Sequence, residues 1–457
     1  MIFLVLLLGL VLRLVSFNQS FWLDEATSGL VVRNFNLIDI VAKFSPGDFH
    51  PPFYYLVLKV WSDLFGTGEV ALRFPSLIFG LLTIYLIYFI GKELFNKKTG
   101  LIAGLLLSTS GLHIYYSQEA RMYSLIALLV SFAVFSFVKI TNKGRLGDWI
   151  LFSLSIFLIA ATDYVALLII PAFWIWGIIY KKNLKWFLKL LMSHIILLLF
   201  AFYWSPIFFK QLSSGISLNL NSPSWWNLLG SFSFKNFALI PVKFILGRIS
   251  FDNNIVYVLI AAIVFGLFGY PLILSFKNLK KSLIIWLWLV VPILFAVVVS
   301  LRLPIFSYFR FLFCLPAFYL LVSIGLGKLK PRISNIFLVL LVLTNLVFSG
   351  IYLFNPKFQR EEWRGLTTFI NHESEGKKAI TLFVADSNME GYRYYDSSAN
   401  ISGPSGFSTK YEEIYLMRYL QDVFDKDDLL RVKIEASGYN KEKEYDFNGV
   451  VVWKYLE

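Results

Sequence analysis

The stretch ALRFPSLIFGLLTIYLIYFIGKELFNKKTGLIAGLLL, residues 71–107, decides the fold. It contains two apolar runs separated by a short break that holds Lys92, Lys97 and Lys98. A helix of roughly 20 apolar residues crosses the ~30 Å hydrocarbon core of a bilayer. The first run therefore reads as a membrane span and the second as the start of another. The lysines between them mark a cytoplasmic loop, because Lys and Arg bias a short loop toward the cytoplasm.

Outward from this pair the same pattern repeats. Apolar stretches at 1–17, 71–92, 98–116, 120–138, 148–162, 164–180, 187–209, 254–276, 282–301, 305–327 and 333–354 give eleven candidate spans. The composition agrees. Of 457 residues 57% are hydrophobic and 16% charged, and the mean hydropathy is +0.66. A soluble chain of this length could not hide so much apolar surface. The first residues, MIFLVLLLGLVLRLVSF, have no basic leader and no small-residue cleavage site after them, so they read as an uncleaved first span.

Four more short basic loops fall at 139–147, 181–185, 277–281 and 328–332. Loops 139–147 and 181–185 can share a side only if the chain crosses twice between them, which favours two short spans there over one. The resulting topology has the N-terminus inside, long outer loops at 18–70 and 210–253, and an outer tail from 355. The net charge of +13 divides accordingly. Residues 1–354 carry 28 Lys and Arg against 11 Asp and Glu, and residues 355–457 carry 14 against 18. The basic excess sits in the membrane part, so it sets topology and does not suggest a nucleic-acid-binding domain. The single cysteine, Cys314, allows neither an internal disulfide nor a thiolate metal cluster.

Of the acids in residues 1–354, Asp24, Glu25, Asp39, Asp48, Asp63, Glu69, Glu119, Asp163 and Asp252 fall outside, and only Glu93 and Asp148 inside. The positive-inside rule says little about acids, so this asymmetry points separately to chemistry on the outer face. In loop 18–70, LIDIVAKF and YYLVLKVWSDLF read as interfacial helices. In the tail, EEWRGLTTFINH and KYEEIYLMRYLQDVF have helical spacing, while KAITLFVA, LRVKIEA and FNGVVVWKYL read as strands. The expected fold is an all-α polytopic membrane protein with a small C-terminal α/β domain.

The candidate site residues follow from charge near the outer face. Asp24 and Glu25 are adjacent acids just beyond the first span, suited to base catalysis or metal binding, against the plainer reading of a solvated turn. His50, in DFHPPFYYLVL, suits a ligand contact or a structural interface histidine. Tyr116, Glu119, Arg121 and Tyr123 lie on one tight turn, where Arg121 is a candidate for a substrate phosphate. Tyr308 and Arg310 lie in SYFRFLFCLPAF. A cation several residues inside an apolar segment suggests an anionic partner, with snorkelling as the alternative. Arg13 and Arg73 read as snorkelling span ends, and His194 as a packing contact. Lys243 and Arg248 are further candidates for an anionic head group. No Gly-rich phosphate loop, HExxH or nucleophile elbow occurs.

Taken in order, FWLDEA, HPPFYYL, the stretch 71–107, YSQEARMYSL, SYFRFLFCLPAFYLL and EEWRG resemble the GT-C membrane glycosyltransferases, specifically the bacterial protein-mannosyltransferase-like and aminoarabinose-transferase-like families. The resemblance is good over 1–140, moderate over 302–330 and 359–366, and weak between. It implies a polyprenyl-phosphate sugar donor, an acceptor hydroxyl on lipid, polysaccharide or protein, and inversion at the anomeric carbon. It maps a catalytic base to Asp24 and an outer-turn acid and arginine to Glu119 and Arg121. Some members hold a divalent metal and others do not, and no metal ligand is assigned. The competing classes are a lipid or sugar transporter, which would more often hold polar groups and broken helices at the midplane, and an inactive binder of lipid-linked sugar.

Overall fold

The computed structural model describes residues 1–221, 224 and 230–457. Helix occupies each of the eleven apolar stretches, with bounds that differ from the expected ones. Among the described residues, six helical segments are long and apolar enough to cross a membrane: Glu69–Leu94, Tyr123–Asn142, Leu184–Ser217, Asn254–Val299, Tyr308–Leu326 and Pro331–Phe354. Helices Ile2–Leu14 (α1), Leu146–Ala160 and Val165–Tyr180 are shorter but apolar. The stretch 98–116 is two helices, Lys97–Ser108 and Gly111–Ser117. Helix Ile195–Asn221 runs past the expected span end at 209, into the stretch expected to be the second outer loop. Part of that loop, residues 222, 223 and 225–229, lies outside the described residues, and Phe234–Leu246 is helical.

Close packing in the membrane region depends on small residues. A Cβ on Gly100 would stand 2.2 Å from the Tyr88 carbonyl oxygen, and one on Gly91 would stand 2.7 Å from Gly100 Cα. Helices Glu69–Leu94 and Lys97–Ser108 can therefore touch backbone to backbone, the contact that small residues permit in lipid.

Loop 18–70 is largely helical. Helix Leu23–Asn34 (α2) is followed by a π-helical turn Ile40–Phe44 and helix Phe53–Phe65. The last buries Tyr54, Tyr55, Leu58 and Ser62 on one side. Its Val60, Leu64 and Phe65 are exposed, as an interfacial helix requires.

The tail is a five-stranded sheet in the order β2-β1-β3-β5-β4. The strands are β1 Ala379–Leu382, β2 Ile401–Ser402, β3 Glu413–Met417, β4 Asn440–Phe447 and β5 Val450–Leu456. β1 pairs parallel with β2 and β3, whereas β5 pairs antiparallel with β3 and β4. Asn448 and Gly449, both at positive φ, make the β4–β5 hairpin turn, as Asn-Gly pairs commonly do. Helix Trp363–Glu373 and strands β1 and β5 match the expectation. Two segments differ. LRVKIEA is a helix, Leu429–Ala436, that buries Leu430 and Ile434 one turn apart. Within KYEEIYLMRYLQDVF the middle is strand β3, whose five residues are all buried. A strand covered on both faces loses the alternation that would reveal it. β4, NKEKEYDF, is a mostly exposed edge strand, and charges suit such an edge while hiding it from a hydrophobic pattern.

Candidate active site

Asp24 and Glu25 are both in the first turn of α2, where carboxylates complement the helix dipole. Adjacent residues on a helix do not share a face, and the two acids separate completely. Asp24 remains 37% exposed and lies 3.5 Å from the Arg121 guanidinium. Glu25 is fully buried. Its two oxygens accept from Arg73 Nε at 2.7 Å and Nη2 at 2.6 Å, and one also accepts from the Ala120 N–H at 2.8 Å. Arg360, near the start of the tail, adds a third cationic contact at 3.0 Å. Burial opposes ionisation of Glu25, but Arg73 and Arg360 hold its carboxyl below the ordinary value. A chemical role for Glu25 is thereby corrected to a structural one. It joins α2, the turn carrying Arg121, helix Glu69–Leu94 and the tail.

A cavity of about 560 Å³ opens where Asp24 faces. Its polar lining includes Asp48, His50, Arg121, Tyr123, Asp163 and Arg310. Leu168, Phe208, Leu212, Val299 and Leu303 line an apolar part. The expected residues Asp24, His50, Arg121, Tyr123 and Arg310 thus meet in one place, although almost 300 residues of chain separate the first from the last. Arg121 donates to the Tyr55 hydroxyl at 2.9 Å, and its buried Nε has no hydrogen-bond partner among the described residues. His50 Nδ1 is 3.7 Å from an Asp48 carboxylate oxygen. Burial raises the Asp48 carboxyl, but His50 and Arg121 outweigh it and hold the group below its usual value. The Arg310 guanidinium is half-buried and has no carboxylate or hydrogen-bond partner among the described residues.

Tyr116, Glu119 and Tyr308 do not line this cavity. Tyr116 packs its ring 4.9 Å from Tyr123, and Tyr308 lies beside Phe309, so both back the wall. Glu119 is buried 3.5 Å from Arg360, and neither of its oxygens has a hydrogen-bond partner among the described residues. Burial pushes its carboxyl up to about 7, with Arg360 pulling the other way.

The two arginines read as snorkelling are also corrected. Arg73 is fully buried on Glu25 and on the carbonyls of Phe17, Gln19 and Ser20. Arg13 is fully buried too, donating to the Gly9 and Ser108 carbonyls and meeting His113 Nδ1 at 2.6 Å. Helix packing encloses these side chains before they can reach water. His194 is a packing contact, with Nδ1 2.7 Å from the Leu190 carbonyl. Lys243 binds the Ile249 carbonyl and Ser250 hydroxyl at 2.8 Å each, and Arg248 donates to the Tyr115 hydroxyl at 2.8 Å. Sequence reasoning did not single out Arg360, Asp48, Asp163 or Tyr55. The outer bias of acids pointed toward Asp48 and Asp163, but nothing in the sequence pairs Arg360 with Glu25.

Among the described residues no three His, Cys, Asp or Glu side chains come together so as to hold a metal ion. No step below passes through a metal.

Comparison with known proteins bears on the fold. The sequence model of the dolichyl-phosphate-mannose-protein mannosyltransferase family matches residues 49–204. The fold is that of the GT-C superfamily of membrane glycosyltransferases. In particular, ArnT from Cupriavidus metallidurans in its apo state superposes with a TM-score of 0.62 at 12% identity, over 98% of this chain and 97% of that one. ArnT bound to undecaprenyl phosphate gives 0.59 at 11% identity, with 98% and 97% covered. The Archaeoglobus fulgidus oligosaccharyltransferase AglB, in complex with an inhibitory peptide and a dolichol-phosphate, gives 0.58 at 11% identity, over 99% of this chain and 74% of that one. No curated protein matches by sequence.

Proposed function

We propose that the chain is an inverting glycosyltransferase that moves a sugar from a polyprenyl phosphate to an acceptor hydroxyl on the outer face of the membrane. The observation that carries this reading is one cavity in which a carboxylate, Asp24, two guanidiniums, Arg121 and Arg310, and an apolar wall meet. The apolar wall suits a lipid carrier, the guanidiniums suit its phosphate, and the carboxylate suits the acceptor proton. Structures of similar fold with undecaprenyl phosphate and with a dolichol-phosphate support the same donor class. The five basic loops lie at the other ends of the spans from these residues, which supports the outer face.

In the proposed step the acceptor oxygen attacks the anomeric carbon while the bond from that carbon to the phosphate oxygen breaks. The bonding pair leaves with the phosphate, where positive charge is needed as negative charge develops. Arg310 and Arg121 supply it. The acceptor proton passes to Asp24, which acts as the general base. A single displacement of this kind inverts the carbon.

The test uses the purified full chain in lipid nanodiscs, with a panel of polyprenyl-phosphate-linked sugars and cell membranes as the acceptor source. Lipid-linked sugar should disappear as free polyprenyl phosphate forms. Base catalysis is typically worth 10²–10⁴-fold, so Asp24→Asn should slow turnover by about that much while binding of polyprenyl phosphate persists. Arg310→Ala should weaken that binding. Near-normal turnover in Asp24→Asn would refute the assignment of the base.

A further inference from the structure

The tail domain closes one side of the cavity with Ser387, Asn388 and Glu390. This wall is fastened to α2, the helix that carries Asp24. A Cβ on Gly29 would stand 2.5 Å from the Tyr394 ring, so the two helices meet at a position without a side chain. Arg33 donates to the Tyr394 carbonyl at 2.7 Å and lies 3.8 Å from the centroid of that ring. The Tyr394 hydroxyl donates to the Thr67 carbonyl at 2.5 Å, and the Tyr395 hydroxyl accepts from the Phe21 N–H at 2.7 Å. Glu390 begins the helix that bears these tyrosines, Glu390–Tyr395. Its position over the cavity is therefore set by contacts with loop 18–70.

Glu390 is half-buried, and its carboxylate has no ion-pair or hydrogen-bond partner among the described residues. A partly desolvated carboxylate without a partner gains from incoming O–H or N–H groups and opposes an incoming anion. The cavity as a whole leans the same way. Four carboxylates line it, those of Asp24, Asp48, Asp163 and Glu390, against the guanidiniums of Arg121 and Arg310. Arg310 and Glu390 are the two of these with neither an ion pair nor a side-chain hydrogen bond among the described residues, since Asp163 accepts from the Val165 N–H at 2.7 Å. They come from different parts of the protein, one from the membrane module and one from the tail.

We propose that Glu390, with Asn388 beside it, reads the acceptor, binding hydroxyl or amine hydrogens of a neutral or cationic glycan and turning anionic ones away. The proposal rests on the transferase reading above and divides the cavity between two duties. Arg121 and Arg310 hold the donor phosphate, and the tail wall selects what receives the sugar. Because Glu390 has no partner to lose, its replacement should leave the melting temperature unchanged.

The experiment uses the full chain in nanodiscs, the polyprenyl-phosphate sugar that the turnover assay selects, and three acceptors: methyl glucoside, methyl glucosaminide and methyl glucuronide. The wild type should use the first two about tenfold or more faster than the glucuronide, a ratio that corresponds to a single lost or repelled contact. Glu390→Lys should move that ratio toward the glucuronide by about tenfold, and Glu390→Gln should fall between, with the KM for the donor unchanged in both. An acceptor ranking that Glu390→Lys leaves intact would overturn the proposal. So would a donor KM that shifts with the substitution, or turnover that cell membranes support and no glycoside does. Absence of donor loss with every acceptor, membranes included, would instead overturn the transferase reading itself.

Discussion

Glu25 and Asp24 differ by one position and have opposite fates. Asp24 faces the cavity, while Glu25 turns inward onto Arg73 and Arg360. Breaking a buried ion pair from one side leaves uncompensated charge and costs about 3–5 kcal/mol. Glu25→Gln would leave the Arg73 guanidinium without a carboxylate and Arg360 with Glu119 alone, so its expected effect is a large loss of thermal stability, read by the unfolding midpoint of the purified protein. A normal midpoint combined with lost turnover would return Glu25 to the chemistry.

Glu119 carries a pH signature. Its carboxyl is raised from an ordinary 4.5 to about 7 by burial. The folded chain then binds a proton that the unfolded chain releases at lower pH. The resulting stability is complete below about 4.5 and is lost as the pH rises through 7. A single proton changes stability by at most about 1.4 kcal/mol per pH unit. Unfolding midpoints measured between pH 4.5 and 7 should therefore fall less steeply in Glu119→Gln than in the wild type. Parallel curves would show that Glu119 is already ionised in the folded protein.

At the scale of elements, the contact between α2 and helix Glu390–Tyr395 joins the tail to the site. Gly29 makes that contact possible. Gly29→Ala places a methyl against the Tyr394 ring, and overpacking of this kind costs about 1–3 kcal/mol. The expected result is a lower unfolding midpoint together with slower turnover, because the helix that bears Glu390 must shift. Turnover that survived a clear loss of stability would separate the tail wall from the reaction. The tail also shows which elements a pattern can reveal. β5 and helix Trp363–Glu373 were legible because each keeps its own hydrophobic period. β3 and β4 were not, one being buried on both faces and the other lying on a charged edge.

At the scale of the whole molecule, the distribution of Lys and Arg predicts the sidedness. Reporter fusions at Lys143 and Lys182 should give a cytoplasmic signal and a fusion at Glu412 an external one. A cytoplasmic signal at Glu412 would reverse the topology and put the cavity on the other face. Hydropathy and basic loops were enough to locate helix in every apolar stretch, since lipid forces a spanning segment to satisfy its own backbone. Helix bounds were less legible. The break at Thr109–Ser110 and the extension of helix Ile195–Asn221 depend on neighbours that hydropathy does not see.

The sequence by itself determined that this is a membrane protein with a distinct α/β tail, and it gathered the acids of the membrane part toward one end of the spans. It also brought Asp24, His50, Arg121, Tyr123 and Arg310 forward as candidates. These features depend on composition and local period, which each residue contributes independently. Only the tertiary structure decided which charges meet. Arg13 and Arg73 look like span-end cations in sequence, yet both are enclosed, and Arg360 pairs with Glu25 across 335 positions of chain. Glu390 gave no signal at all until the tail folded against α2. Pairing between distant charges depends on how helices pack, and packing is a property of all the neighbours at once.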